Sequence, residues 1–416
     1  MGDIFRGAVL TLFAQDGENA DDGLSRLRDP GFIKPCKVDL RLTSKDQVSV
    51  LPVYISSERR CFPKACPLVQ RGWVLQEEVL SPRGLHFGSD QATVLAPGVG
   101  PGDFGVLRCL LKFRDRSGAQ QYKSDEIFRA WYSLIMVYCR RELTFATDVL
   151  AALAGLAMAV AKSHNIQYIS GIWKEDIAHG ILWSAKSETT PALISYQDPG
   201  PGPEFSKLPS WAWASQMGNE LVFWTDTWNQ PLQMCVTIDD IPEQINDVEA
   251  QPSSINGVSN LASGEGHHTK SSTTYQVFTI MKLLLSGYLG AGRIAASSTN
   301  LEPNRNASDI RDLLDISTNT KVGSIYFDED LSSVRDNIIT FIVIGLSTRF
   351  IGTYAGDYTS PFMYVSLALA PTARLGEYRK IGVVLEASQM STHEYQKRIP
   401  DNILWAGKGW ATITLV

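Results

Sequence analysis

Apolar residues change their spacing along this chain. From Asp125 onward, Ile127, Trp131, Leu134, Ile135 and Tyr138 recur at helical intervals and predict a helix with one buried stripe. A second helix is predicted to start at Thr147 and Asp148, where a carboxylate suits the positive end of the helix dipole. Its continuation, Val149 to Ala161, is so rich in Ala and Leu that burial nearly all round is expected. A third helix is predicted from about Lys174 to Trp183, with Ile177, Ile181 and Leu182 facing inward. After the Pro- and Gly-rich stretch from Asp198 to Ser210 the pattern turns to strands. These are LVFWT from Leu221, QMCVTI from Gln233, YQVFTIMKLLLSGYL from Tyr275, ITFIVIGL from Ile339, FMYVSLALA from Phe362, YRKIGVVLE from Tyr378 and the closing ATITLV.

The first third is less regular. Ile4 to Ala14 alternates enough to be a strand or the end of a helix. Residues 15–35, dense in Asp, Asn, Gly and Pro, read as a loop. Lys37 to Val53 reads as one or two short strands, with Val38, Leu40 and Leu42 on one face and Asp39, Arg41 and Thr43 on the other. Residues 243–274 hold too few large apolar side chains to offset chain entropy and are expected to form a disordered insertion.

Composition narrows the function classes. With 416 residues and 44% hydrophobic content, the chain can bury real cores. A net charge of −6, from 38 basic and 44 acidic residues, provides no positive field for phosphate backbones, so no nucleic-acid partner is expected. Val149 to Ala161 is the longest apolar run and falls short of the roughly 20 residues that span a bilayer, and the opening segment is no signal peptide. The expectation is a cytoplasmic protein with no membrane span; the sequon at Asn306 is read as chance.

The scattered cysteines Cys36, Cys61, Cys66, Cys109, Cys139 and Cys235 read as reduced thiols, with Cys139 and Cys109 in the core. Four residues separate Cys61 from Cys66, rather than the two of zinc knuckles, and no H-E-x-x-H occurs among the histidines; His267 and His268 fall in the expected insertion. No metal and no cofactor are therefore expected. Gly100 to Gly105 satisfies G-x-G-x-x-G after a possible strand from Ala92 to Ala96. Pro101 removes an amide donor there, however, and nucleotide binding is not expected. No G-x-S-x-G is present, and Trp211 and Trp213 read as core packing.

The densest local signal runs from Arg71 through Gly72, Trp73, Val74, Leu75 and Gln76 to Glu77, and on through Leu80-Ser81-Pro82-Arg83-Gly84-Leu85-His86-Phe87. Trp73, Leu75 and Leu80 can form a core face. Ser81-Pro82-Arg83 can turn into a strand from Leu85 to Phe87, leaving Arg71, Gln76 and Glu77 at a helix surface or cleft. Arg71 stands six positions before Glu77, an awkward spacing for a same-face helical pair.

This run resembles the R-x-W-x-x-Q-E and L-S-x-R-x-L-x-F block of fungal heterokaryon-incompatibility (HET) domains. Trp131 to Tyr138, Arg141-Glu142-Leu143-Thr144 and Asp148 to Ala157 are similar to that family's W-x-x-x-V-x-x-Y-S-x-R-x-L-T and D-x-L-x-A-L-x-G-L-A patterns, in the same order. Tyr168 to Trp173 with Leu182-Trp183, and Pro209 to Ser215, are similar to its Y-L-A-G-L-W, L-L-W and A-P-S-W-S-W-A-S strings, and Tyr378 to Val383 with the closing ATITLV to its usual tail. The family's leading L-S-Y-x-W-G and W-I-D-x-x-C-I-x-Q blocks do not occur; the chain starts at the segment resembling M-x-x-I-Y-x-x-A, Met1 to Ala8.

The resemblance implies an α+β protein with three parts. These are a truncated α/β HET core over residues 1–120, a helical block over 121–204, and a β-rich C-terminal domain over 205–416 carrying the insertion. It implies a regulator of non-self recognition and programmed cell death, acting through contacts with a protein partner or as a homo-oligomer. Arg71, Trp73, Gln76, Glu77 and Arg83 are the motif residues. A likeness proposed between HET and TIR domains implies an alternative, NAD cleavage with Glu77 as the catalytic carboxylate beside Arg71, Trp73 and Gln76. A third expectation is an inactive paralogue or a helper encoded in a biosynthetic gene cluster.

Overall fold

The computed structural model describes residues 2–17, 19–24, 36–44, 47–55, 66–88, 92–95, 124–145, 147–186, 208–224, 233–239, 282–295, 310–328, 337–347, 363–387 and 409–416. The expected insertion at 243–274, the G-x-G-x-x-G string, Cys61, Cys109, Asn306 and the His267–His268 pair lie outside the described residues. The architecture is α+β, with a large antiparallel sheet in the C-terminal region.

Ile4 to Ala14 divides between both readings of its pattern: helix α1 (Gly2–Gly7) is followed by strand β1 (Thr11–Ala14). Next come the hairpin β2 (Cys36–Ser44) and β3 (Gln47–Ile55), the short helix α2 (Pro67–Gln70), helix α3 (Gly72–Leu80), and strands β4 (Gly84–Phe87) and β5 (Ala92–Leu95). β4 is central in a three-stranded sheet, parallel to β1 and antiparallel to β5. Alternation along Lys37 to Val53 did specify strands, but the predicted apolar face is not covered. Val38 is only half-buried and Leu40 is 45% exposed, because among the described residues β2 and β3 pair only with each other.

Helix α4 (Ser124–Tyr138) buries every residue of its predicted stripe. Helix α5 (Asp148–His164) buries Val149, Ala152, Leu153, Leu156, Ala157, Ala159 and Val160, and ends at Asn165 in the left-handed region. Thr147 sits at its N-cap without making a side-chain capping bond. The hairpin β6 (Tyr168–Ile169) and β7 (Ile172–Trp173) follows. The third predicted helix is cut short. One 3-10 turn, Lys174–Asp176, leads into helix α6 (Ile177–Gly180), and Trp183 already opens strand β8 (Trp183–Lys186). Pairing with β9 (Glu220–Phe223) claims these residues, and Trp224 N–H donates to Leu182 O at 2.9 Å. Such a long-range partner overrides a local helical period.

The remaining strands are β10 (Gln233–Met234), β11 (Val236–Asp239), β12 (Leu283–Ile294), β13 (Ile310–Leu314), β14 (Lys321–Phe327), β15 (Ile338–Ser347), β16 (Met363–Pro371), β17 (Glu377–Ala387) and β18 (Trp410–Leu415). Antiparallel pairings run β12–β15, β15–β16, β16–β17, β17–β14, β14–β13 and β13–β12, so six strands close on themselves as a small barrel. Ile294, Leu313, Ile325, Phe327, Ile339, Phe341, Ala368, Ile381 and Val384, drawn from all six, fill its interior. Alternate residues such as Ile342, Ile344, Val365, Leu367, Val383 and Leu385 join a second core that runs on into α3, α4, α5 and the tryptophans between 131 and 224. Among the described residues no helix is long and apolar enough to cross a membrane.

Candidate functional site

Helix α3 carries the Arg71 to Glu77 block, and the chain segment after α4 holds its start. Gly72 N–H donates to Glu142 O at 2.8 Å and Glu142 N–H to Gln70 O at 2.6 Å, a parallel bridge that aligns Arg71 with Glu142. A Cβ at position 72 would lie 2.5 Å from Leu143 Cδ2, so the glycine of R-G-W leaves the room that the leucine of R-E-L-T occupies.

Each exposed-looking side chain of α3 then finds a separate task. Trp73 Nε1 donates to Asp148 Oδ2 at 3.1 Å, tying α3 to the first turn of α5. Glu78 accepts from Arg141 at 2.9 Å, with side chains 14% and 5% exposed, and the same guanidinium reaches Arg71 O at 3.5 Å. Gln76 is buried on Gly155 of α5, where an added Cβ would lie 2.6 Å from Oε1, and among the described residues that oxygen has no hydrogen-bond partner.

Glu77 is half-buried, and burial pushes its carboxyl above the usual carboxylate range. Arg71, at the N-cap, opposes the shift and Glu78 adds to it. Arg71 stands outside the helix in extended conformation, so the spacing of a helical pair does not apply to it, and its charge offsets only part of the effect of burial on Glu77. Arg83 is not part of this group: its side chain is exposed, and its carbonyl accepts from Thr11 N–H at 2.9 Å.

A raised carboxyl pKa means that the folded state holds a proton more tightly than the unfolded chain, so Glu77 erodes stability as pH rises through its folded pKa. Glu77→Gln is therefore expected to match wild type near pH 4 and to be modestly more stable near pH 7. Thermal unfolding across that range checks it, and a variant less stable at neutral pH would refute it.

The contacts of several polar residues in and around this run were not anticipated from the sequence. His86 is buried, stacked on Phe13 with ring centroids 4.3 Å apart, and its Nδ1 lies 3.1 Å from the Gln15 carboxamide. Thr11 and Ser81 hydroxyls pair at 2.8 Å. These contacts join β1, β4 and the end of α3, and only the polar positions inside the otherwise apolar β1 and β4 stretches hinted at them. Cys66 donates to Asp16 Oδ1 at 3.0 Å, and burial together with Asp16 pushes the thiol up to about 12, which makes it a poor nucleophile. Cys139 is buried, as expected.

The later motif strings converge on the adjoining core. Gly171 O accepts from Trp131 Nε1 at 3.2 Å and from Trp213 Nε1 at 2.8 Å, Trp183 Nε1 donates to Trp211 O at 3.0 Å, and Tyr138 Oη donates to Val149 O at 2.6 Å. All four tryptophans are buried. Among the described residues no group of three or more His, Cys, Asp or Glu side chains could hold a metal ion. No family model, no curated protein and no solved structure matches this chain.

Proposed function

We propose that the protein is a regulator of the heterokaryon-incompatibility type, acting in non-self recognition and cell death through protein contacts made in the cytoplasm. One observation carries the reading: Trp73, Gln76 and Glu78 are each engaged by the segment between Arg141 and Gly155. Such contacts between the two most distinctive motif blocks support a scaffolding role over a shared reaction centre. Arg71 and Arg83 stay exposed beyond the two ends of α3, and Leu12 and Val94, paired through Leu85, are 51% and 63% exposed on one side of the small sheet. Exposed arginines and apolar side chains suit a protein surface. Forced expression in a fungal host, scored by growth and viability, tests this: toxicity is expected, and healthy growth at confirmed protein levels counts decisively against it.

A second reading, NAD cleavage, is favoured by the half-buried Glu77 with its raised carboxyl pKa near Arg71. Purified protein incubated with NAD would release nicotinamide, and Glu77→Gln would not. Nicotinamide release without toxicity would replace the first reading with the second. Neither outcome would leave the inactive paralogue.

A further inference from the structure

Strand β8 lies against β14 and β17 of the barrel, and a sealed charge pair sits where they meet. Lys380, on β17, has a fully buried side chain, and Asp328, directly after β14, is 4% exposed. The Lys380 ammonium donates to Asp328 Oδ2 and stands 3.3 Å from the centroid of the Trp183 ring. The other Asp328 oxygen accepts Ala185 N–H at 3.0 Å. Lys380 N–H goes to Ser210 Oγ at 2.9 Å, one residue before the Trp211 carbonyl that binds Trp183. Both charges thus belong to the barrel, while the ring and the Ala185 amide that enclose them belong to β8.

Enclosing two ions removes them from water, and the interior returns that desolvation energy only partly. Lifting β8 restores their hydration. The apolar contacts on either side of the seam gain nothing comparable when they open. The barrel's outer face, Trp183 and the other tryptophans share one core, but the barrel also has its own filled interior, and Trp131, Trp173 and Tyr168 pack on one another, so each side keeps packing of its own when β8 lifts. We propose that β8 is a strap, and that this ion pair makes the β8–barrel seam the place where the barrel and the tryptophan core part first, with both still folded. A regulator that works through contacts needs such a movable element, but the inference stands on the charge pair and not on that reading.

Hydrogen exchange of the full-length protein tests it. The reporters are the amides of Ala185 and Lys380, and the references are amides inside α4 and in the β15–β16 ladder. In wild type the reporters are expected to exchange about tenfold faster than both references, through a sub-global opening. Lys380→Met alone takes the ammonium away from the buried carboxylate, and should accelerate the reporters by about a hundredfold or more. Lys380→Met with Asp328→Asn removes both charges while keeping an acceptor for Ala185, and should slow them to the reference rate. Wild-type reporters that exchange with the references overturn the proposal. So does a double variant whose reporters are unchanged or faster. The comparison of wild type with the double variant decides the matter even if the single variant does not fold.

Discussion

Gly171→Ala is expected to cost about 3–5 kcal/mol, a large part of the stability of an ordinary domain. Ser170 and Gly171 form the two-residue turn between β6 and β7, and both have positive φ, 46° and 100°. That is the backbone of a primed hairpin turn, which alanine adopts only with strain. The packing is less forgiving still: a Cβ at 171 would lie 2.6 Å from Trp213 Nε1. The indole would have to move, breaking its bond to Gly171 O and disturbing the Trp131 bond to the same oxygen. A buried indole N–H without a partner then adds its own desolvation penalty. Gly376→Ala separates the two causes. Gly376 has φ of 76° with nothing within 4 Å of the added Cβ, so it should show the backbone cost alone, of about 1 kcal/mol. Chemical denaturation of the two variants beside wild type checks the pair; equal losses would mean that the tryptophan contacts at 171 contribute little.

How much of this was legible in the sequence follows from the range of the interactions. The α4 stripe was readable because its period is local, and every residue in it is buried. The later barrel strands β15, β16 and β17 were readable because long apolar runs identify themselves. Strands β13 and β14 were missed: IRDLL is short and carries two charges, and KVGSIYF contains glycine and serine where the backbone pairs closely with β17. Closure of the barrel could not be read at all, since it depends on β12 pairing with β15 and β13 on opposite edges. At the candidate site the run from Arg71 to Glu77 stood out, and its helix formed as expected. What its side chains touch depends on partners 63 and 75 residues away. Glu78, which no motif singled out, is the one whose charge is buried against Arg141.

That pair carries the second large prediction. Arg141→Met keeps an unbranched stem of similar bulk but strands the Glu78 carboxylate in a site where its own side chain is 14% exposed, and is expected to cost about 3–5 kcal/mol. Glu78→Gln removes the charge that needs compensating, so the double variant should recover most of the loss. A double-mutant cycle is the measurement, and additive losses would show that the two charges are solvated separately. Because Arg141 also reaches Arg71 O, and Gly72 and Gln70 are bonded to the backbone of Glu142, its removal should loosen the start of α3 before it affects the barrel. Proteolysis or hydrogen exchange should therefore find the Arg71 to Glu77 turn opened first in Arg141→Met. Under the proposed function, a contact surface on that turn predicts that the variant loses the expected toxicity at temperatures where its barrel remains folded; toxicity kept with α3 opened would rule that surface out.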